Sequence, residues 1–509
     1  MSKYRQHLPI AVLLIGALLV GIFTVSDYGE SWDEADNFRY ADYAIHSYAY
    51  FFHPQDLAPF GTDLNLKGPA YFMFAEAGAS VLTRIIPAWS QTDGRHFIDF
   101  LAFLACALCI YLLARRWMGA AAATGSALLF LSQPLLWGHA FINPKDIPYM
   151  ALFAGSILSG LSMFDRLASG RRTWPLASLA SILLGLTASV RVIGPLAGLI
   201  VAGYGLLKLR KHGLPLLLLY GVGAAATGYV TWPYLWSSPI AHYIETVLTM
   251  SEFPFAPSIL YWGNLYKANT LPRSYFPTLL ALQLTEPMLV LLVAGLAACA
   301  WLWIKKQQRE PAGLFLAWSL APALLVIGMR TPIYDNGRQL YFVLPPLFLM
   351  AGLSLDRLFA WVRRPAAQAV ILLLAALPGM LLSVVLHPYE YTYYNALVGG
   401  TGGAFRKFET DYWGTSYKAM SEYLNETAPR GARVLVYGPQ QIVEHYVRQD
   451  ITAAIPSDQN KTGFQYALFL TRANLDQRRC NSAHTVYEIG RRGAVFATLK
   501  AIPQGAECR

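Results

Sequence analysis

Charge is what this sequence has least of for its length. Of 509 residues, only 14% are Asp, Glu, Lys or Arg, whereas a soluble globular chain carries about 25%. That is too few to cover a water-facing surface of this size, which excludes an ordinary soluble enzyme. No internal repeat and no low-complexity tract is visible. His139 has no second histidine at metal-ligand spacing, so a zinc site is not expected there. Cysteine is scarce as well: of five, Cys106, Cys109 and Cys299 sit in apolar runs as packing residues. Cys480 and Cys508 fall in the C-terminal tail, where an oxidising compartment would permit a disulfide.

Long apolar runs are present instead. The chain is 55% hydrophobic, concentrated in stretches such as Leu8 to Val25 and Phe97 to Leu113. About 20 apolar residues cross a bilayer core of about 30 Å. Membrane insertion is therefore expected. The first run follows Lys3 and Arg5, as a secretory signal would. It is longer than a signal core, however, and no small-x-small cleavage site precedes Asp27, so an uncleaved first helix is expected.

The net charge of +10 invites a nucleic-acid reading, but its placement argues against one. Basic clusters separate apolar runs: Lys3 and Arg5, Arg115 and Arg116, Arg166 with Arg171 and Arg172. Further clusters follow at 208–211, 305–309 and 357–364. They fall in every second loop, and this alternation places the N-terminus in the cytoplasm. About eleven spans are expected, centred near residues 16, 106, 129, 155, 182, 199, 223, 294, 321, 347 and 376. An odd number puts the C-terminus outside. The pair at 182 and 199 needs a tight outer turn at Arg191 and Pro195.

Two units are expected: a transmembrane domain, 1–386, with outer loops 26–96 and 236–277, and an extracytoplasmic soluble domain, 387–509. The outer segments are too long to be connectors alone. In the tail, 433–437 and 466–470 read as strands, 440–447 as a helix and 486–502 as a hairpin turning at 490–493. The fold class is thus a polytopic all-α membrane protein carrying a small C-terminal α/β domain.

The outer segments hold the residues able to do chemistry. A surface helix after Gly29 would set Asp33, Asp36, Asn37 and Tyr40 on one face. That spacing fits a solvated interfacial helix as well as a functional one. Lys67, just before Gly68-Pro69, suits a phosphate and equally a snorkelling lysine. Lys145 and Asp146 lie on the same side of the membrane. Arg191, Arg330 and Arg338 stand at outer span ends, where basic residues are disfavoured unless they act. The run His387 to Asn395, with Tyr391 inside it, fits either an interfacial aromatic belt or a rim that holds a sugar ring.

The order of these parts resembles polyprenyl-phosphate-dependent glycosyltransferases of the GT-C fold. The closest likeness is to family 39, with its protein O-mannosyltransferases, and to the related enzymes that add aminoarabinose to lipid A. Asp33-Glu34 and Arg39-Tyr40-Ala41 resemble that family's first-loop motif, with extra residues between the pair and the arginine. Lys67-Gly68-Pro69-Ala70-Tyr71 is similar to its Lys/His-Pro-Pro-Leu-Tyr element. Asn143-Pro144-Lys145-Asp146 and His387 to Asn395 resemble a bacterial branch.

The resemblance implies a sugar moved from a polyprenyl phosphate to a lipid, glycan or protein hydroxyl, at the outer face of a bacterial inner membrane. Catalytic roles fall to Asp33, as base, and Glu34. Lys67, Arg39, Arg191 and Arg338 would hold the donor phosphate, with Lys145 and Asp146 beside them. Asp36, Tyr40, His387, Tyr391 and Asn395 would form the sugar or acceptor rim. No cofactor is required, although Asp33 and Glu34 together could hold Mg²⁺ or Mn²⁺. The competing expectation is a lipid or glycan transporter, which would keep charges near the bilayer midplane and show repeated halves.

Overall fold

A computed structural model of the chain describes residues 6–251, 256–457, 463–506 and 508. The basic pair Lys3 and Arg5, and residues 252–255 of the second outer segment, lie outside them. Helices dominate the first 386 residues. They run α1 Leu8–Thr24, α2 Glu34–Ser47, α3 Ala70–Ile85, α4 Gln91–Ala114, α5 Ala120–Leu131, α6 Pro134–Ile142 and α7 Asp146–Ala168. Next come α8 Trp174–Val190, α9 Pro195–Leu209, α10 Leu214–Val230, α11 Pro239–Ser251 and α12 Tyr275–Gln283. The remainder are α13 Glu286–Ile304, α14 Arg309–Phe315, α15 Ala321–Met329, α16 Pro345–Trp361 and α17 Pro365–Leu386. Proline opens many of them, including α6, α9, α16 and α17. At the first turn its missing N–H takes nothing from the helix ladder.

Among the described residues, seven helices qualify as spans by length and apolarity, or nine if each of two bent pairs, α5 with α6 and 335–343 with α16, crosses once. The apolar stretch Pro195–Val230 counts there as one, but its contacts show two antiparallel helices. Gly160 and Phe164 of α7 meet Val201 and Gly205 of α9, so those helices run parallel. Ser181 and Gly185 of α8 meet Gly223 and Thr227 of α10, another parallel pair. Because α7 and α8 run in opposite directions, α9 and α10 do too, turning at Arg210–Gly213. All eleven expected centres fall within helices or, at 321, at the junction of a π-turn with α15. The protein is a multi-pass membrane protein.

The two long segments expected on the outer side, 26–96 and 236–277, hold more helix than their lengths suggested. The 26–96 segment folds as α2 and α3, and α4 already begins at Gln91, where Ser90 and Asp93 form a reciprocal capping box. In the second segment, α11 precedes the hairpin β1 Ser258–Tyr261 and β2 Asn264–Lys267.

After α17 the chain builds a five-stranded mixed sheet from β3 Arg433–Tyr437, β4 Thr452–Ala454, β5 Tyr466–Leu470, β6 His484–Arg491 and β7 Ala494–Ala501. The strand order is β4-β3-β5-β7-β6, with β3 parallel to β4 and β5, and β7 antiparallel to β5 and β6. The helices α18 Tyr417–Thr427 and α19 Gln440–Tyr446 pack alongside. Both expected strands, the helix and the hairpin are present; β4 escaped notice because three residues carry no alternation. Cys480 and Cys508 are disulfide-bonded. This sheet domain sits on the α2 end of the helices: Gln441 donates to the Trp32 carbonyl at 2.8 Å, and the Glu30 N–H donates to the Tyr446 hydroxyl at 3.1 Å.

Helix α13 crosses α16 at Gly295, where an added Cβ would lie 1.8 Å from the Met350 carbonyl oxygen. Backbones meet there directly, as small residues allow between membrane helices. Gly295→Ala is expected to destabilise the protein by the overpacking cost of about 1–3 kcal/mol and so to lower its thermal midpoint. Gly16→Ala, with nothing within 4 Å of the new methyl, should not. Thermal unfolding of both variants in one detergent checks the contrast, and equal midpoints would refute the packing.

Candidate active site

The site is assembled around one buried carboxylate. Asn143 follows α6, and its Oδ1 accepts from the N–H groups of Lys145 (3.2 Å) and Asp146 (2.8 Å). That side-chain turn starts α7. The Asn143 amide also donates to Asp146 Oδ2 at 3.1 Å. Asp146 is only 1% exposed, so its charge needs opposite charge in contact. Arg191, just beyond α8, pairs with Oδ1, and Arg338 Nη1 donates to Oδ2 at 2.8 Å.

Arg338 reaches that position through a tight turn. Asp335, Asn336 and Gly337 all have positive φ, at 50°, 57° and 70°, a region that Asn and Gly tolerate best. The turn folds the guanidinium back on Asp335 Oδ2, with Nη2 at 3.0 Å and Nε at 3.2 Å. Its face lies over Trp413, 4.7 Å from the ring centroid. The other Asp335 oxygen accepts from Arg472 at 2.7 Å, and Arg472 also reaches Glu409 at 3.2 Å. Burial pushes the Glu409 carboxyl up to about 7, against the pull of Arg472.

The network opens toward solvent at Asp33, immediately before α2. Its side chain is 39% exposed, accepts from Lys145 Nζ at 3.0 Å and lies 3.7 Å from Arg338 Nη2. Burial of this corner pushes the Asp33 carboxyl up. Lys145, Arg338 and Lys67 outweigh that and hold it well below the usual carboxylate range. Lys67 is set by its neighbour: a Cβ on Gly68 would lie 1.7 Å from the Ser189 carbonyl oxygen, so only glycine lets this loop touch the end of α8. Burial, then the like charge of Lys145, brings the Lys67 ammonium down to about 8, while Asp33 and Asp63 pull it the other way.

Of the residues singled out in the sequence, Asp33, Lys67, Lys145, Asp146, Arg191 and Arg338 come together. Others do not. Glu34 turns inward: it accepts from the Ser31 N–H at 2.8 Å, as Ser-x-x-Glu does at a helix start, and pairs with buried His96 at 2.9 Å. It shares no cation site with Asp33. Among the described residues no group of three or more His, Cys, Asp or Glu could hold a metal ion. Asp36 and Arg39 are exposed and pair with each other, while Asn37 and Tyr40 are buried, so the expected single face is split.

The expected rim is packed instead. Tyr391 is buried and donates to Asp411. Asn395 donates to the backbone of Ala281 and Leu284, at 2.7 and 2.9 Å. His387 bridges Asp27 and Glu390 at 2.9 and 2.8 Å. His139 meets the Tyr412 hydroxyl at 2.7 Å in a wholly buried setting. Sequence reasoning assigned no site role to Asp335, Arg472 or Glu409. Asp335 and Arg472 are 137 residues apart, and no spacing rule joins them.

A membrane domain with a polar cluster at one end, capped by a small sheet domain, is the GT-C type of fold. Among solved structures, the chain matches ArnT from Cupriavidus metallidurans in the apo state at a TM-score of 0.51 and 16% identity, over 96% of this chain and 97% of that one. It matches the apo oligosaccharyltransferase of Archaeoglobus fulgidus at a TM-score of 0.52 and 12% identity, over 92% of this chain and 70% of that one. At these identities the likeness is one of fold. No family model matches the chain, and no curated protein does.

Removing one partner from a buried ion network leaves an uncompensated charge, at a cost of about 3–5 kcal/mol. Arg338→Met is expected to destabilise the protein by that amount, and Asp146→Asn with Arg338→Met by less than the two single effects combined. A double-mutant cycle on detergent-solubilised protein measures the coupling. Additive effects would show that the pair is not one unit.

Proposed function

We propose that the protein is an integral membrane glycosyltransferase that moves a sugar from a polyprenyl phosphate to a hydroxyl on a lipid, glycan or protein acceptor. The observation that carries this reading is the side-by-side placement of a half-exposed, ionised carboxylate, Asp33, with the ammonium groups of Lys145 and Lys67 at the span ends. One cleft then holds both a base and an anion site. The GT-C fold supports the same reading. The family 39 likeness rests on the Asp33-Glu34 and Lys67 motifs.

In this reading Asp33 takes the proton from the acceptor hydroxyl as its oxygen attacks the anomeric carbon. The carbon–oxygen bond to phosphate breaks in line, and the electron pair leaves with the phosphate, so the anomeric centre inverts. Lys67, Lys145 and Arg191 stabilise the growing negative charge. Arg338, enclosed by Asp146, Asp335 and Asp33, acts as a positioning residue. The donor phosphate competes with Asp33 for Lys145, which raises the basicity of Asp33 when donor is bound. A divalent cation at Asp33 would have to displace Lys145, so the lysines are read as supplying its charge. Charge alternation supports a cytoplasmic N-terminus and a cleft on the outer face of a bacterial inner membrane.

Asp33→Asn is expected to abolish transfer from a polyprenyl-phosphate sugar while the protein still inserts and folds. Radiolabelled sugar appearing on the acceptor at the wild-type rate would sink the assignment. Sugar lipid crossing vesicles with no new glycosidic bond would favour transport. For Lys67, which is charged below about pH 8 and neutral above it, donor KM should rise as pH climbs through that value. Lys67→Arg should keep KM flat to higher pH. A KM profile independent of pH in the wild type would remove Lys67 from the phosphate site.

A further inference from the structure

Of the three arginines flagged at outer span ends, Arg191, Arg330 and Arg338, only Arg330 is left out of the Asp33 cluster. It caps α15 in the left-handed region, φ 55°, which favours few side chains other than glycine and asparagine. With Arg273, from the segment before α12, it lines a small cavity of about 30 Å³ that is open to one side. No Asp or Glu is among the lining residues. Both guanidinium groups belong to exposed residues, and neither has a hydrogen bond or ion pair among the described residues. Two unpaired arginines facing one cavity repel each other unless an anion lies between them.

The rest of the wall is of a different kind. Val326, Ile327 and Phe276 line the cavity, and on the same helix α15 the side chains of Leu324, Leu325 and Met329 are 56%, 61% and 65% exposed. An apolar helix that exposes leucine and methionine faces lipid. Arg330 follows its last residue and lies five residues before Asp335, so the cavity stands at the same end of the spans as the Asp33 cluster. A basic pocket between spans at the level of the headgroups is the setting in which anionic lipid is held.

We propose that this groove seats the phosphate headgroup of an anionic membrane lipid, with its acyl chains along α15, as a site separate from the Asp33 cluster. Arg273 and Arg330 clasp the phosphate, and the Asn269 and Thr331 side chains offer uncharged donors beside it. The proposal needs only the membrane topology, so it stands or falls apart from the glycosyl-transfer reading.

Native mass spectrometry of the purified full chain, titrated with phosphatidylglycerol or phosphatidylcholine, tests it. The wild type should retain phosphatidylglycerol in preference, and Arg273→Gln with Arg330→Gln together should weaken that retention roughly tenfold to thirtyfold. Arg364→Gln, an exposed arginine at the start of α17, should leave it unchanged, and Arg273→Lys with Arg330→Lys should keep part of it. Equal retention of the two lipids by the wild type would overturn the proposal. So would undiminished phosphatidylglycerol in the glutamine double variant, or its displacement by millimolar inorganic phosphate, which would mark a bare anion site.

Discussion

Arg338 and Asp146 hold this protein's polar end together, because neither can be buried alone. A charged side chain taken out of water costs several kcal/mol unless a partner and further hydrogen bonds replace the solvent. Here each serves the other, and each recruits a second partner from elsewhere in the chain. Asp146 brings in Arg191 and the Asn143 turn, fixing the ends of α6, α7 and α8. Arg338 brings in Asp335 and, at longer range, Asp33. Four separate stretches of sequence are thus pinned to one point, and the partly exposed Asp33 and its partner Lys145 inherit their positions from it.

The same logic explains how much could be read from sequence. Apolar runs announce spans because nothing else solvates them, and charge alternation resolved even the close pair α8 and α9. Asp33, Lys67, Lys145, Asp146, Arg191 and Arg338 stood out because ionisable groups at span ends need a reason to be there. What could not be read was direction. Asp33 and Glu34 are adjacent, yet one faces Lys145 and Arg338 and the other a buried histidine, since helix geometry sends successive side chains about 100° apart. Arg39 looked available and instead folds onto Asp36 at the surface. The tyrosines of 389–394 suggested a membrane belt or a sugar rim, but all are buried, Tyr389 against the sheet domain and Tyr391 and Tyr394 in the core of the helices.

That sheet domain is more than a cap. Arg472 extends from it to Asp335, the carboxylate that orients Arg338, and shares its charge with Glu409. The membrane cluster is therefore completed by a residue from the other unit, through a contact that only the folded chain creates. Trp413 adds a flat surface under the Arg338 guanidinium, restricting its rotation where a lysine could not be held in the same way.

The cluster is also unequal from one side to the other. On its buried side Arg338 is enclosed by the carboxylates of Asp146 and Asp335. On its open side burial and the neighbouring cations keep Lys67 from holding its proton as firmly as a free lysine would. A group in that state gains most from an arriving negative charge, which relieves both the repulsion and the loss of solvent. In the proposed function the phosphate therefore lies at Lys67 and Lys145, on the Arg191 side of the cluster. That reading sets the phosphate against Asp33, whose side chain is the most exposed carboxylate of the group.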